Sequence, residues 1–522
     1  MTPGWARFSA RIGFRISTLL LGGSVVACGP MVETPPVVVE IAVPYEVGTL
    51  DPHARDLISE FAVLSNLYEP LARTNADLTS LEPALARRWH NPSPETWVFE
   101  LRPEVAFHSG KALEAIDVVA TFRRLLNDSN LEIRSYLSDV LDVEAVDHET
   151  VRITTRSSSG VFLNQLNFVL IVPADATADS LETRPDGTGP FRYLEGGAEE
   201  GRLRLARHEA YWGDLPEMDE VIFRLAQAPR RAFETLLSGE VNFAQIQSRE
   251  LADRLRRDEE LMARFQVVSQ ESLFVKYLAM DMAREPTPYV EGPRNPFRDS
   301  RVRQALHLGI DREALAAALA EEAVPASQPV PRAVLGYDPT IAVARHDPGA
   351  ARALLEEAGW GDGFEVVLHT RKILEHPARL VAEQLAHLGV KVQVEALEDA
   401  EFFDRFERWE MSLYLSRLGC PTGDASDVLE RAFHSRSEDG ALGRLNRSGY
   451  HDPELDRAIE EAMALDTVTA RRDALQALLR QVMVDLPWLP LYFDREVYAL
   501  ERRLGWRPRA DSYVLAQEIQ LH

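Results

Sequence analysis

The chain has 522 residues, of which 45% are hydrophobic and 27% are charged, and its net charge is −25. This length exceeds what one compact core usually supports, so we expect two or more domains. The negative charge argues against nucleic acid or an anionic membrane surface as the main partner, although solubility alone would also explain it. The two cysteines, Cys28 and Cys420, lie in very different contexts, so an intramolecular disulfide is not expected.

The first 28 residues resemble an export signal. Arginines at positions 7, 11 and 15 precede an apolar run at 16–27, which is too short to span a bilayer permanently. The run ends in Val-Val-Ala before Cys28, which resembles the lipobox of bacterial lipoproteins. We therefore predict cleavage before Cys28 and an anchor of acyl chains on its thiol, with a Pro-rich tether at 29–37. The alternative is an ordinary signal peptide with a chance cysteine.

Residues 38–172 alternate apolar segments with polar turns. The periodicity predicts strands at 38–43, 97–101 and 151–155, a strand-like run at 161–172, and helices at 58–71 and 115–126. No segment after residue 28 is apolar over enough residues to span a membrane.

The stretch 187–213 is rich in glycine, and its first residues are typical of a phosphate-binding loop. No Lys-Ser/Thr pair and no helix follow it, however, so a nucleotide site is not indicated. Its alternating residues instead predict a structural hairpin with strands at 191–194 and 202–206. A helix at 229–238, a strand at 239–246 and a strand at 274–282 follow.

The second half of the chain carries the clearest helix signals. Asp299, Asp311 and Asp347 each stand where an N-cap is expected, and Pro348 suits a first helical position. The predicted order is then strand 364–369, helix 375–388, strand 390–394, helix 399–408 and strand 411–415. This alternation is typical of a mostly parallel α/β layer with right-handed crossovers. Helices at 453–464 and 470–484 and an apolar run at 486–493 complete the chain.

The strand at 411–415 leads into a loop, 419–423, that is followed by two carboxylates, Asp424 and Asp427. Strand ends that open into loops are where open α/β sheets present ligand-binding groups, so this loop is the first candidate for a site. The alternative is structural, because either aspartate could cap the helical run at 428–433.

Short motifs spread over most of the chain support a family resemblance. They are LEPALA at 81–86, WVFELR at 97–102, FHSG at 107–110, AIDVV at 115–119, GTGPF at 187–191, YWG at 211–213 and VRQA with IDRE at 302–313. Each motif is weak alone, but in this order and behind a lipobox they are strong. The chain resembles the extracellular solute-binding proteins of the dipeptide and oligopeptide ABC importer class.

The resemblance implies an α/β, two-lobe periplasmic-binding-protein fold. The fold would be type II-like, with an extra subdomain in lobe one and a two-strand hinge. Lobe one would comprise 38–275 plus 487–522, and lobe two 276–486. The hinge would lie near 274–280 and 488–492, where two chain crossings would suit closure on a ligand.

The resemblance also suggests ligand contacts. Asp424 takes the place of an aspartate that pairs with a ligand amine, but the surrounding residues differ, so a cap or loop role stays open. Arg371 is the nearest match to an arginine that pairs with a ligand carboxylate, and Arg417 is an equally placed anion partner; a surface role is the alternative for Arg371. Trp360 could line a pocket or pack a helix end.

The functional expectation is a substrate-binding lipoprotein of an ABC importer. It would act as a monomer, capture a peptide-like solute between its lobes and deliver it to the membrane permease, outside the cytoplasm and anchored by lipid. No catalytic residues, cofactor, metal site or nucleic-acid partner are expected, and Cys420 would be a small buried thiol. The alternatives are an exported hydrolase using Asp424 and Asp427, a binding protein for nickel, haem or oligosaccharide, or a sensor or chaperone. The absence of GxSxG, HExxH and P-loop motifs disfavours the enzyme.

Overall fold

The computed structural model describes Met1 and residues 35–438, 440 and 442–522. The predicted lipidation site Cys28, and nearly all of the predicted signal and tether, lie outside these residues. The strands are β1 (Val38–Ala42), β2 (Ala72–Thr74), β3 (Leu81–Pro83), β4 (Ala86–Ser93), β5 (Thr96–Leu101), β6 (Val140–Ala145), β7 (Thr150–Thr155), β8 (Phe191–Gly197), β9 (Arg202–Arg207), β10 (Glu220–Arg224), β11 (Phe243–Gln245), β12 (Phe265–Met280), β13 (Ala323–Pro325), β14 (Glu365–Arg371), β15 (Lys391–Leu397), β16 (Leu413–Gly419), β17 (Trp488–Glu501), β18 (Leu504–Gly505) and β19 (Gln520–Leu521).

The helices connect these strands and cover the sheets. They are α1 (Ile58–Leu64), α2 (Ala115–Asn127), α3 (Phe162–Gln165), α4 (Ala178–Thr183), α5 (Pro229–Ser238), α6 (Arg249–Arg257), α7 (Glu259–Arg264), α8 (Ser300–Gly309), α9 (Arg312–Ala318), α10 (Pro348–Glu357), α11 (Glu375–Ala386), α12 (Asp399–Glu407), α13 (Ser426–Val428), α14 (Pro453–Met463) and α15 (Val468–Asp485). Within the described ranges, no helix is both long enough and apolar enough to cross a membrane.

One mixed sheet of eleven strands runs through the described chain in the order β15-β14-β16-β12-β17-β11-β1-β10-β9-β8, with β13 added on β17. The long strands β12 and β17 are antiparallel partners and join its two halves. β16 pairs with the C-terminal half of β12, at Phe274–Met280. β11 pairs with the C-terminal part of β17, at residues 498–500. The pairing of β12 with β17 shifts register between Glu271 and Val275 and again between Lys276 and Tyr277. The first irregularity overlaps the start of the predicted hinge segment 274–280 and the second lies inside it; the role of this segment as a hinge stays a prediction.

The β14–β16 half is the parallel α/β layer expected from the sequence. β14 pairs in parallel with both β15 and β16, and α11 and α12 provide the connections. The aspartate caps form as predicted: Asp311 accepts from the Ala314 N–H (2.9 Å) and Asp347 from the Ala350 N–H (2.9 Å). Gly359, which follows α10, has φ +77°, so it ends the helix in the left-handed conformation that glycine favours.

A separate antiparallel sheet, β4-β5-β7-β6, forms the extra subdomain. It packs with α2 and the segment around Phe162 in the same hydrophobic core as β1. The predicted glycine-rich hairpin is β8 and β9. Its leading glycines serve close packing rather than phosphate binding, because a Cβ on Gly187 would overlap the carbonyl of Leu67.

The hydrophobic cores divide along the chain. Two core clusters are built from residues 39–265 and 497–519. Two others draw on residues 273–493, with Leu78 and Ala510 as additions. The structure is thus a two-lobe α/β fold whose halves share the sheet.

The prediction of a strand-like run at 161–172 was wrong. The segment forms α3 followed by a 3-10 turn at Leu166–Phe168. An apolar run is equally compatible with a buried helix, and here Phe162 and Phe168 are both buried in the lobe-one core. β12 is also longer than expected, because Phe265–Leu273 continues the strand predicted at 274–282.

Candidate ligand-binding cleft

The loop between β16 and α13 is held close to the crossing strands. The N–H of Cys420 donates to the carbonyl of Leu273 on β12 (3.2 Å). Cys420 is buried, and its thiol donates to the Asp424 carbonyl (3.1 Å), which confirms the predicted small buried thiol. Gly423 has φ +70°, so the chain turns sharply there, directly before Asp424.

The Asp424 carboxylate is engaged within lobe two. Arg471 on α15 holds both of its oxygens, with Nε–Oδ2 at 2.6 Å and Nη2–Oδ1 at 3.1 Å, and both side chains are 3% exposed. Oδ1 also accepts from the N–H of Ser426 (2.9 Å), in keeping with the loop or capping alternative. A ligand amine would have to compete with Arg471, so the amine-binding role of Asp424 stays a prediction.

Asp427 stands in a different environment, at the end of β16 that faces lobe one. Its carboxylate pairs with Arg431 through Nε (2.7 Å) and Nη2 (2.8 Å). Arg431 also donates to the Gly419 carbonyl (3.0 Å), which fixes the pair against the strand end. Burial raises the pKa of the Asp427 carboxyl.

Lobe one contributes Asp56 and Tyr136 opposite this pair. The Tyr136 hydroxyl donates to Asp56 (2.9 Å), and its ring stacks on Phe168 with centroids 4.4 Å apart. Burial raises the pKa of the Asp56 carboxyl, which also feels the charges of Arg431 and Asp427 across the gap. Sequence reasoning missed Asp56 and Tyr136, because nothing in their local spacing marks them.

Glu430 completes what we call the acidic group, namely Asp56, Asp427 and Glu430. One Glu430 carboxyl oxygen is buried and has no hydrogen-bond partner among the described residues. Burial, together with the charge of Asp427, raises the pKa of Glu430 to about 7. The charges of Arg431 and Arg444 act in the opposite direction and lower this pKa. In the described part of the chain, no group of three or more His, Cys, Asp or Glu side chains is placed to hold a metal ion.

A cationic group, defined as Lys276, Arg371 and Arg417, lies along the neighbouring strands. Lys276 and Arg417 are cross-strand partners, and the buried Lys276 pairs with Asp494 on β17. Arg417 reaches solvent with its guanidinium over the ring of Phe274 (5.2 Å). The surrounding protein lowers the pKa of Arg417, and the nearby Arg371 charge adds to this effect. No carboxylate of the described residues lies within 4.0 Å of Arg417, so its charge is open to an anion.

The other two predicted ligand residues lie at opposite ends of β14. Arg371, at its C-terminal end, donates from Nε to Asp399 (2.7 Å). Trp360 precedes the other end, where its ring contacts Phe364 (5.3 Å) and lies under Arg294 (4.4 Å). Arg371 lies close enough to Arg417 for its charge to act on that guanidinium. A strand of seven residues spans about 20 Å, so Trp360 lies well away from both arginines, packed at the end of α10.

β17 adds polar groups that sequence reasoning also missed. Glu496 accepts from the hydroxyls of Tyr498 (2.6 Å) and Ser512 (2.8 Å), and burial raises the pKa of its carboxyl. The Tyr45 hydroxyl, which feels the Glu496 charge, is buried without a hydrogen-bond partner in the described ranges. Asp494 and Glu496 are two residues apart and therefore share a face of β17. The charged run Asp494–Glu496, between two apolar parts of the strand, is the signal that could have revealed them.

A cavity of about 580 Å³ lies between segments of both lobes. Lobe one lines it with Trp97 and Leu163, and lobe two with Leu335, Tyr337 and Arg472. Its volume is in the range of small-molecule sites. Its lining combines apolar side chains with polar and charged ones, among them Asn164, Asp424 and Arg471.

Comparison with known proteins decides the family. The sequence model of the bacterial extracellular solute-binding proteins, family 5 (middle region), matches residues 80–440. The chain belongs to this family. Family 5 proteins are the substrate-binding components of ABC importers, so the protein binds a solute for an importer. The family resemblance seen in the sequence motifs is thereby confirmed.

This chain matches individual relatives over most of its length. It is 28% identical over 482 residues to the glutathione-binding protein GsiB of Pectobacterium atrosepticum, covering 89% of this chain and 90% of that protein. It is 24% identical over 462 residues to heme-binding protein A of Haemophilus influenzae, covering 81% of each. The structure of DppA from Helicobacter pylori in complex with peptide STSA matches with a TM-score of 0.76 at 21% identity, covering 93% of this chain and 98% of that one. The last comparison supports the two-lobe fold.

Proposed function

We propose that the protein captures a small zwitterionic, peptide-like solute between its two lobes and passes it to a membrane permease. The observation that carries the proposal is the pairing of two incompletely neutralised charge groups beside the crossing strands. The acidic group has three carboxyls facing two guanidinium groups. The cationic group has three cations facing Asp399, Asp494 and Glu496, and Arg417 is the one of the three with no described carboxylate within 4.0 Å.

The two groups are close enough to engage one ligand. Arg431, which is paired with Asp427, donates to the carbonyl of Gly419. Gly419 lies two residues from Arg417 on β16, about 7 Å along the strand. A ligand ammonium would be stabilised by the acidic group and a ligand carboxylate by Arg417, because charged hydrogen bonds are strong where water is limited. We therefore assign ligand contact to Asp427 and Arg417 first.

Two relatives support this solute class. GsiB is named as a glutathione-binding protein, and the DppA structure holds a peptide. Glutathione and the peptide STSA are both peptide-like molecules that carry an amine and at least one carboxylate. Relatives of this kind are binding proteins, which favours solute capture over the hydrolase alternative.

The proposal is tested by titration calorimetry with glutathione and the peptide STSA, each in native, N-acetylated and C-amidated form. Acetylation removes the ammonium charge and amidation removes a carboxylate. We expect each blocked form to bind at least about tenfold more weakly than the native form, a loss of about 1.4 kcal/mol. Equal binding of all three forms would exclude recognition by the two charge groups. Native mass spectrometry of the purified protein would show whether another molecule occupies it.

The lipid anchor is a further part of the proposal. Its support is the sequence alone, since Cys28 lies outside the described residues. In a bacterial host, the full-length protein should incorporate an alkyne-labelled fatty acid and fractionate with membranes. We also propose that the protein is a monomer. Cys28→Ser should abolish the label; a variant that keeps it would refute lipidation at this residue.

A further inference from the structure

A short segment of lobe one, residues 158–164, contacts lobe two at three points. The Gly160 N–H donates to the Met463 carbonyl (2.9 Å). The Ser158 hydroxyl lies 3.2 Å from an Asp466 oxygen. The Asn164 side-chain amide donates to the Thr422 carbonyl (2.8 Å). We call this segment the bridging segment. Its partners are the turn between α14 and α15, and the loop that leads to Asp427.

Arg471 connects these two partners. Its Nη1 donates to the carbonyls of Ala462 (2.8 Å) and Met463 (2.9 Å), and its other nitrogens hold Asp424. One buried guanidinium therefore fixes the α14–α15 turn relative to the loop that carries Asp427. The bridging segment touches both ends of this unit, so it contacts a rigid surface rather than a single side chain.

Gly160 is fitted to that surface. A Cβ on Gly160 would overlap the carbonyl oxygen of Leu465 and lie 2.7 Å from Nη1 of Arg471. The φ of Gly160 is not positive, so alanine is compatible with its own backbone. The requirement for glycine at this position therefore comes from lobe two and not from the folding of lobe one.

The contacts have the character of a surface that can separate. They are polar, they involve backbone carbonyls and one half-buried serine, and the lobe-one residues that make them, Ser158, Gly160 and Asn164, belong to neither hydrophobic core. Small polar contacts between domains are compatible with relative motion. On these grounds, and resting on the proposed function, we infer that the bridging segment is a closure contact. It holds the Asp427 loop in its ligand-binding position when the lobes close, which makes Gly160 and Asn164 positioning residues for solute binding.

The first test measures binding of glutathione and STSA by calorimetry. Gly160→Ala should weaken binding at least about tenfold, because the fraction of closed, binding-competent protein falls. Asn164→Ala should weaken it less. Matched controls are Gly197→Ala, where a Cβ would meet only Glu200 at 3.7 Å, and Asn130→Ala, at an exposed residue of the same lobe. The melting temperature of each ligand-free variant should stay within about 2 °C of wild type.

A second measurement works without any ligand. In an S158C/D466C variant, disulfide formation under mild oxidation reports how often the lobes meet at this point. Adding Gly160→Ala should slow it several-fold, whereas adding Gly197→Ala should not. An unchanged rate, or unchanged binding by Gly160→Ala when wild type binds, would overturn the closure contact. A lower melting temperature of ligand-free Gly160→Ala would also overturn it, since the contact would then be permanent. If wild type binds neither probe, the proposed solute class fails while the disulfide rate still decides the closure contact.

Discussion

The buried ion pair of Asp424 and Arg471 is stabilised by additional hydrogen bonds. Removing two ions from water costs several kcal/mol per ion, and their attraction compensates only when further hydrogen bonds satisfy both groups. Here Arg471 donates to two backbone carbonyls and to Ser426 in addition to the carboxylate, and Asp424 accepts from the Ser426 N–H. The pair is therefore a structural unit that shapes the loop before Asp427.

We predict that Asp424→Asn destabilises the protein by about 3 kcal/mol, because it leaves Arg471 buried and unpaired. The double variant Asp424→Asn/Arg471→Met should recover part of this loss. Urea denaturation of the ligand-free protein measures both. If Asp424→Asn keeps wild-type stability but loses affinity for the ligand amine, Asp424 is a ligand residue after all.

Arg417 and Arg371 form a matched pair for testing the anion site. Arg417→Ala should weaken binding of a carboxylate-bearing ligand by about tenfold to a hundredfold, since its guanidinium is free of any described carboxylate. Arg371→Ala should cost less than about threefold, because Asp399 already occupies that guanidinium. Calorimetry with STSA distinguishes the two, and equal losses would show that the anion lies between them.

The candidate site was only partly predictable from sequence. The strand-to-loop transition at Gly419 and the carboxylates after it are local patterns, and they led to Asp427 and Arg417. Arg471, the partner of Asp424, is 47 residues away on α15, and no local sequence pattern indicates this pairing. Asp56 and Tyr136 reach the cleft only because lobe one folds against the Asp427 loop. Such long-range juxtapositions are fixed by tertiary packing, which periodicity does not contain.

At the scale of elements, the sequence was most informative where ends are marked chemically. Helices that begin at an aspartate, such as α9 and α10, were located within a residue or two. The prediction of a strand at 161–172 failed because hydrophobicity alone does not distinguish a buried helix from a buried strand. The extension of β12 was missed because Phe265–Leu273 mixes polar and apolar residues on both faces of the strand, so no regular alternation marks it.

Helix α1 carries a buried carboxyl that makes stability depend on pH. Burial raises the pKa of Glu60 to about 7, against an ordinary value of 4.5. The folded state therefore favours the protonated carboxyl, so its stabilising contribution is complete below about pH 4.5 and is lost as pH rises past 7.

We predict that wild type loses about 1 to 3 kcal/mol more than Glu60→Gln does between pH 5 and pH 8. Urea denaturation at the two pH values gives the difference. Glu82→Gln, at an exposed carboxyl in β3, serves as the control and should follow wild type. Parallel pH profiles for wild type and Glu60→Gln would show that Glu60 titrates as an ordinary carboxyl.

At the scale of the whole molecule, two strands carry the chain between cores that are otherwise separate. Lobe boundaries after residues 275 and 486 remain a prediction, supported by the division of the core clusters near residue 273 and between residues 493 and 497. β12 and β17 make a continuous ladder across this division, with irregular register at the crossing. An irregular ladder can bend with less loss of hydrogen bonding than a regular one, which suits a hinge.

A ligand held by both lobes should protect both lobes at once. We predict that saturating STSA slows amide hydrogen exchange in the segment around Tyr136 and in the loop 420–431 to similar extents. Peptides from β8 and β9, far from the cleft in the sheet order, should exchange as before. At about 100 times its dissociation constant the ligand stabilises the folded state by about 2.7 kcal/mol, enough for the change to be measured. Protection confined to one of the two segments would mean that the solute binds a single lobe and that closure is not needed to hold it.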